Sequence, residues 1–218
     1  MRLIIKIKPN QLLIPFDHQH LLVGSIHKWL GWNKIHDNIS LYSFSRLDGG
    51  KAINSGLKFE HGTSFFFSSH ETGLIKSIIE GVQRDPFMFS GLFVSDIIIQ
   101  ENPDLTNREL FFLGSPILIK RQNGNKVEHI MYDNPHAGEY LKKTLLLKMQ
   151  TKGMFDESFS VDFYLSYPKA GTKKINYNGI GNRVNWCPVF IRGSEETKLF
   201  AWNVGLGNST GIGFGAIK

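Results

Sequence analysis

From Val204 to the last residue the chain reads V-G-L-G-N-S-T-G-I-G-F-G-A-I-K, with glycine at 205, 207, 211, 213 and 215. A backbone that needs glycine this often either turns through the left-handed region or runs against another backbone where no Cβ would fit. The flanks fix the direction. Ser194 followed by Glu195, Glu196 and Thr197 is an N-cap with acids in the first turn, and it opens a helix over 195–203 with Gly205 just past its end. Ile212, Phe214 and Ile217 suit a strand, so the order is helix, glycine loop, strand. Phosphate loops of nucleotide-binding folds run from strand to loop to helix, which brings the phosphate to the positive helix end. This loop sits at the negative end, which argues against a nucleotide cofactor. Two readings remain: a nest of backbone N–H groups that holds an anion, or a turn-rich connection at a sheet edge.

A chain of 218 residues suits one large domain or two of about 100 residues each. Hydrophobic residues make up 41% of it, with 17 Phe, enough for a real core. No run of about 18 apolar residues occurs, and Met1-Arg2-Leu3 does not open a secretion signal, so the expectation is a soluble cytoplasmic protein with no membrane partner. The single Cys187 excludes an internal disulfide and a zinc site of several thiolates. The net charge of +6 is unevenly spread. Residues 1–104 carry ten basic and ten acidic side chains, whereas 105–218 carry fifteen against nine. Lys169, Lys173, Lys174, Arg183 and Arg192 fall in a stretch without one acid. Such a surface either binds a polyanion or is a solvated basic face.

Residues 2–8 alternate as a strand and stop at Pro9. Asp17 is placed to cap a helix that reaches Leu30, with Leu22, Ile26, Trp29 and Leu30 on one face and His20, Gly24 and His27 on the other. Strands are predicted over 39–47, 63–68 and 92–100, and Leu74, Ile75, Ile78, Ile79 and Val82 form a helical stripe that ends before Pro86. Strand, helix, strand, strand, helix, strand is a ferredoxin-like unit. After a boundary at Asn102-Pro103-Asp104 the order repeats. Residues 110–120 are strand-like, Asn134 and Pro135 open a helix that runs to Gly153, strands follow within 159–167, 173–177 and 186–191, and the terminal helix and strand close the chain. The predicted fold class is α+β: two tandem ferredoxin-like folds, 1–104 and 105–218, with a groove between them.

The helix L-L-V-G-S-I-H-K-W-L, the segment I-H-D-N-I-S-L-Y-S-F-S-R-L and the ending G-L-G-N-S-T-G-I-G-F-G together carry a resemblance that spans nearly the whole chain. The sequence resembles the CRISPR-associated repeat-processing endoribonucleases, the sixth Cas protein family of the repeat-associated mysterious protein (RAMP) superfamily. Its most specific element is the ending: Gly205 and Gly207, five residues, then Gly213-Phe214-Gly215. The resemblance implies two ferredoxin-like folds and an RNA-binding endonuclease that cuts CRISPR transcripts within each repeat, using no cofactor and no metal. In that reaction the ribose 2′-hydroxyl attacks the neighbouring phosphate and leaves a 2′,3′-cyclic phosphate (or 3′-phosphate) and a 5′-hydroxyl. The partner implied is CRISPR repeat RNA, with a CRISPR effector complex and a homodimer as further partners the resemblance allows. The alternative is a RAMP protein that binds the repeat-derived handle in an effector complex without cutting it.

Such cleavage needs a base for the 2′-hydroxyl, an acid for the 5′-oxygen and donors or cations for the charge that gathers on phosphorus. Histidine suits either proton transfer near neutrality. His36 lies just before the S-L-Y-S-F-S strand, where the family places a catalytic histidine, and His27 matches a helix position where relatives carry tyrosine or histidine. Lys34 and Lys51 are the candidates for neutralising the phosphorane. Many relatives carry a lysine inside the glycine loop, whereas Asn208-Ser209-Thr210 supply none here. RNA contacts are expected from Lys142, Lys143, Lys173, Lys174, Arg183 and Arg192. In the loop they are expected from Gly205, Gly207, Asn208, Ser209, Gly211 and Gly213. No metal site is expected, since His18 and His20 are two apart and do not make the i, i+4 pair a metal-binding helix favours.

Overall fold

The computed structural model describes residues 1–31 and 39–218. In chain order its first half holds β1 (Arg2–Ile7), β2 (Asn10–Pro15), α1 (Gln19–Leu30), β3 (Tyr42–Phe44), β4 (Lys51–Ile53), β5 (Gly56–Phe59), β6 (Thr63–Ser69), α2 (Thr72–Arg84) and β7 (Val94–Gln100). Four of these strands form an antiparallel sheet in the order β3-β6-β1-β7, with α1 and α2 as the crossovers of a ferredoxin-like unit. Alternation in β1 sends Leu3, Ile5 and Ile7 to one face, where they are buried with Leu22, Ile26 and Trp29 of α1 and Leu74, Ile75, Ile78 and Val82 of α2. Gly81 lets the two helices close, because a Cβ there would run into the Trp29 backbone.

The second half holds β8 (Leu110–Phe111), β9 (Lys120–Asn123), β10 (Lys126–His129), α3 (Ala137–Gln150), β11 (Ser160–Phe163), β12 (Gly171–Tyr177), β13 (Ile180–Trp186), β14 (Val189–Arg192) and α4 (Glu195–Val204). Its sheet runs β11-β14-β8, and the end of the chain adds a fourth, irregular edge. Leu113 bridges Ile217, and the amides and carbonyls of Phe112 and Lys218 exchange bonds of 3.0 and 2.8 Å. The strand order of the first half is thereby repeated. A second core gathers Phe111, Leu141, Leu145, Met149, Phe159, Val189 and Phe200, and draws Leu41 across from the first half. None of the described helices is long and apolar enough to cross a membrane.

Several local expectations are corrected. Asp17 does not cap α1: the N-cap is His18, and no side chain bonds the first turn. At α3 the Asn134 side chain accepts from His136 N (2.9 Å) as a turn, and the helix begins only at Ala137. The final strand is shorter than predicted, since Thr210–Ile212 form a 3-10 turn. A whole sheet, β2-β5-β4, is inserted beside the first unit. Its register slips between Asn10 and Ile14 and leaves Leu12 and Leu13 exposed, so no period of two marks it in the sequence.

The two halves meet over the glycine loop and Arg2. The Arg2 guanidinium, 3% exposed, donates to Ser68 Oγ (2.5 Å), Trp202 O (3.0 Å) and Ile217 O (2.7 Å), and lies between the rings of Phe66 and Trp202. The loop packs backbone against backbone. Leu206 N donates to Gly215 O and Gly215 N to Pro116 O, each at 2.8 Å. At Gly215 (φ +70°) a methyl group would strike the Leu206 carbonyl, whereas at Gly124 (φ +59°) it would meet open space. Gly215→Ala is therefore expected to cost more than about 2 kcal/mol in urea unfolding, against about 1 kcal/mol for Gly124→Ala. Equal losses would show that close approach is not what the loop requires.

Candidate active site

His27 stands in the last turn of α1, on the side of the helix that faces the glycine loop. Its Nε2 is 3.4 Å from the hydroxyl of Tyr42 on β3, and that hydroxyl donates to Gly211 O at 3.2 Å. Burial, with Tyr177 nearby, pushes the Tyr42 phenol up to about 12, so it keeps its proton at neutral pH. A hydroxyl that gives that proton to Gly211 can only accept from His27, which favours the ring form with hydrogen on Nε2. Gln19, at the start of the same helix, donates to Ile212 O (2.7 Å) and Gly213 O (3.2 Å). Gly211 admits the hydroxyls of Ser40 and Tyr42, which a Cβ would displace.

Beside this contact lies a cleft of about 260 Å³, lined by Ile39, Ser40, Thr144, Leu147, Lys148 and residues 207–210. Lys148 comes from the buried face of α3. Its ammonium donates to Val204 O (3.1 Å), Gly205 O (3.3 Å) and Thr210 Oγ1 (3.0 Å). Carbonyls at a helix C-terminus lack intrahelical partners and carry the negative end of the helix dipole, which is why a cation belongs there. Burial alone pulls the lysine down to about 7. The sequence held a signal for this residue. Leu141, Leu145, Lys148 and Met149 share one helical stripe, and a lysine among apolar neighbours marks a buried charge, which sets it apart from Lys142 and Lys143.

The preferred base, His36, and the candidate Lys34 lie outside the described residues. Lys51 is exposed on β4, opposite Lys58, and the structure does not bring it to His27. Its neighbours Gly49 and Gly50 line a separate cleft of about 500 Å³ on the open sheet face, with Arg46, Phe65, Phe66, Lys173, Trp186 and Lys218. Lys173 lies over the Trp186 ring, 4.9 Å from its centroid. Lys174 and Arg183 are register partners on β12 and β13 and are exposed, as is Lys143.

Other expected RNA contacts are used within the chain. Arg192 is met by Glu109 (3.1 Å) and Asp162 (3.2 Å), so its charge is answered by two carboxylates. Lys142 donates to Glu157 O (2.6 Å) and lies over Phe159. In the loop, the amides of Gly205 and Gly213 donate to Ala201 O and Thr210 O, and Asn208 is tied at both ends, its N to Leu118 O and its Oδ1 from Lys120 N. Gly207 and Ser209 line the 260 Å³ cleft, and Gly211 packs against Ser40, which lines it as well. Among the described residues no group of three or more His, Cys, Asp or Glu could hold a metal.

A family model described as CRISPR associated protein Cas6, C-terminal, matches residues 100–218. A protein of Pyrococcus furiosus, named as a CRISPR-associated endoribonuclease-like protein Cas6, is 27% identical over 239 residues, spanning 100% of this chain and 98% of its own. Two solved structures share the fold. One, described as CRISPR associated protein Cas6, superposes with a TM-score of 0.85 at 20% identity, covering 100% of this chain and 98% of that one. The other, described as a RAMP protein binding different RNA substrates, gives 0.84 at 23%, with 100% and 98% covered.

The buried lysine sets a pH dependence. Because its folded value is lowered from 10.5 to about 7, the unfolded chain binds the extra proton between those limits, and stability rises with pH in that window. Relative to Lys148→Met, the natural chain should gain up to about 1.4 kcal/mol per pH unit above pH 7, read from urea unfolding at successive pH values. A constant difference would mean that Lys148 titrates normally.

Proposed function

The chain belongs to the CRISPR-associated Cas6 family, and from that premise we propose that it is an endoribonuclease that cuts CRISPR repeat RNA in the cytoplasm. The observation that carries the reading is the position of His27, held through Tyr42 against a glycine loop that borders a small cleft. In the proposed reaction the ribose 2′-oxygen loses its proton to a base and bonds to the adjacent phosphorus. The bond from phosphorus to the 5′-oxygen breaks, and an acid supplies that oxygen with a proton. The products are a 2′,3′-cyclic phosphate and a 5′-hydroxyl, and no metal takes part. His27 and His36 divide the two proton transfers, a role open to histidine because its unperturbed pKa lies near neutrality.

The RNA strand is drawn in by the excess charge of residues 105–218, which we take as the second of two domains divided at 104. Lys143, Lys173, Lys174 and Arg183 are among the exposed cations available to it. Lys173 with Trp186 in the larger cleft offers both a charge and a ring face to an unpaired base.

The test is incubation with repeat RNA in EDTA, beside RNA that carries one 2′-deoxy substitution at the cut. Cleavage of the first and not the second is expected. His27→Ala and His36→Ala should each lower the single-turnover rate about 100-fold or more while RNA affinity stays within a few-fold. Loss of activity in EDTA would point to a metal nuclease. Tight, salt-dependent binding without any cleavage would assign the chain to holding the repeat handle in an effector complex.

A further inference from the structure

Lys148 places an ammonium inside the protein, and no described residue offers it a carboxylate. Its residue is 5% exposed, and its partners are two carbonyls and a hydroxyl. Among the described residues no carboxylate compensates it, and burial is the one cause that moves its titration. Lys152, just past the end of α3, is paired with Glu71; Ser40 and Thr144 beside the cleft are uncharged, and Tyr42 on β3 stays protonated. A buried ammonium left in this state is costly unless something negative comes near it.

The surroundings say where an anion would sit. Lys148 and Thr210 both line the 260 Å³ cleft, with Ser40, Thr144, Asn208 and Ser209 around them. Thr210 Oγ1 accepts from the lysine, which leaves its own proton free to be donated. Ser209 takes the left-handed conformation (φ 61°, ψ 37°) ahead of the 3-10 turn, and among the described residues the successive amides of Ser209, Thr210 and Gly211 meet no acceptor. Successive amides around such a kink make a concavity for anions.

We propose that this cleft is the seat of one phosphodiester of the bound RNA, taken by the Thr210 hydroxyl and the 209–211 amides, with Lys148 as the positioning residue whose charge acts through Thr210. The inference rests on the endoribonuclease reading and gives its site a cation that the glycine loop itself lacks. Helix α3 delivers the charge from below, where it also gathers the end of α4. An anion in the seat favours the ammonium over the amine, so occupancy draws a proton onto Lys148.

The experiment uses the full chain and adenosine 2′,3′-cyclic phosphate, whose phosphodiester keeps one negative charge between pH 6 and 9. Binding should weaken about tenfold per pH unit above 7, and Lys148→Met should bind at the weak level at every pH. A measurement on the natural chain guards against misfolding of the variant: the Lys148 ε-carbon resonance, titrated with and without nucleotide, should shift its midpoint up by about one unit or more. An unmoved midpoint, no binding at pH 6, or a folded Lys148→Met chain that binds like the natural one with the same pH profile would overturn the proposal. Repeat-RNA cleavage measured alongside separates the two claims. A chain that cuts RNA but shows no Lys148 response loses the phosphate seat alone. A chain whose Lys148 responds but which cuts nothing keeps the seat and loses the endoribonuclease assignment.

Discussion

The fold depends on a guanidinium with no carboxylate in reach among the described residues. Arg2 sits on the central strand of the first sheet and reaches the last turn of α4 and the closing strand of the second, through Trp202 O and Ile217 O. Burial holds its titration well below the usual arginine range, with Arg108 adding a smaller push, so the desolvation cost is real. Against it stand three hydrogen bonds to a charged donor, each about 1.5–3 kcal/mol, and two ring faces. The opposing effects are of similar size, so the gain is chiefly in specificity: the bonds to Trp202 O and Ile217 O form only when the two halves are placed as they are here.

Around that contact, the glycine loop serves both halves at once. Gly205 stands where a Cβ would be 2.9 Å from Ser43 Cβ, and Gly207 where it would be 2.5 Å from Leu118 O. Ser43 Oγ bonds Asn203 O and Gln19 bonds Ile212 O, so β3 and α1 of the first half grip a segment that belongs to the second. The His27–Tyr42 contact against the loop is therefore set by packing between two cores.

Much of this was legible in the sequence, and the exceptions have physical causes. The helices and sheet strands announced themselves through apolar spacing, and the cap at Ser194 and the glycine at 205 marked the two ends of α4. The insert β2-β5-β4 escaped because a slipped register and exposed Leu12 and Leu13 erase alternation. The hairpin β9-β10, K-R-Q-N and K-V-E-H, is mostly solvent-facing and reads as polar loop. The five glycines could mean turning or close approach, and the structure shows both: 205, 207, 213 and 215 have positive φ, whereas Gly211 is needed only for room beside Ser40 and Tyr42. The pairing of Arg192 with Glu109 and Asp162 could not be read from the sequence, because both carboxylates are distant in the chain. Lys148 looked like one more basic residue in a helix full of them.

A segment clamped from four directions behaves as an anvil. Helices α1 and α3, strand β3 and the 116–118 backbone all bear on the glycine loop, so it has no slack with which to accommodate a new ligand shape. Diversification of what the protein accepts is thereby pushed outward, to hairpins β9-β10 and β12-β13, where tips such as Gly124 and Gly179 have open space around them and substitutions disturb neither core.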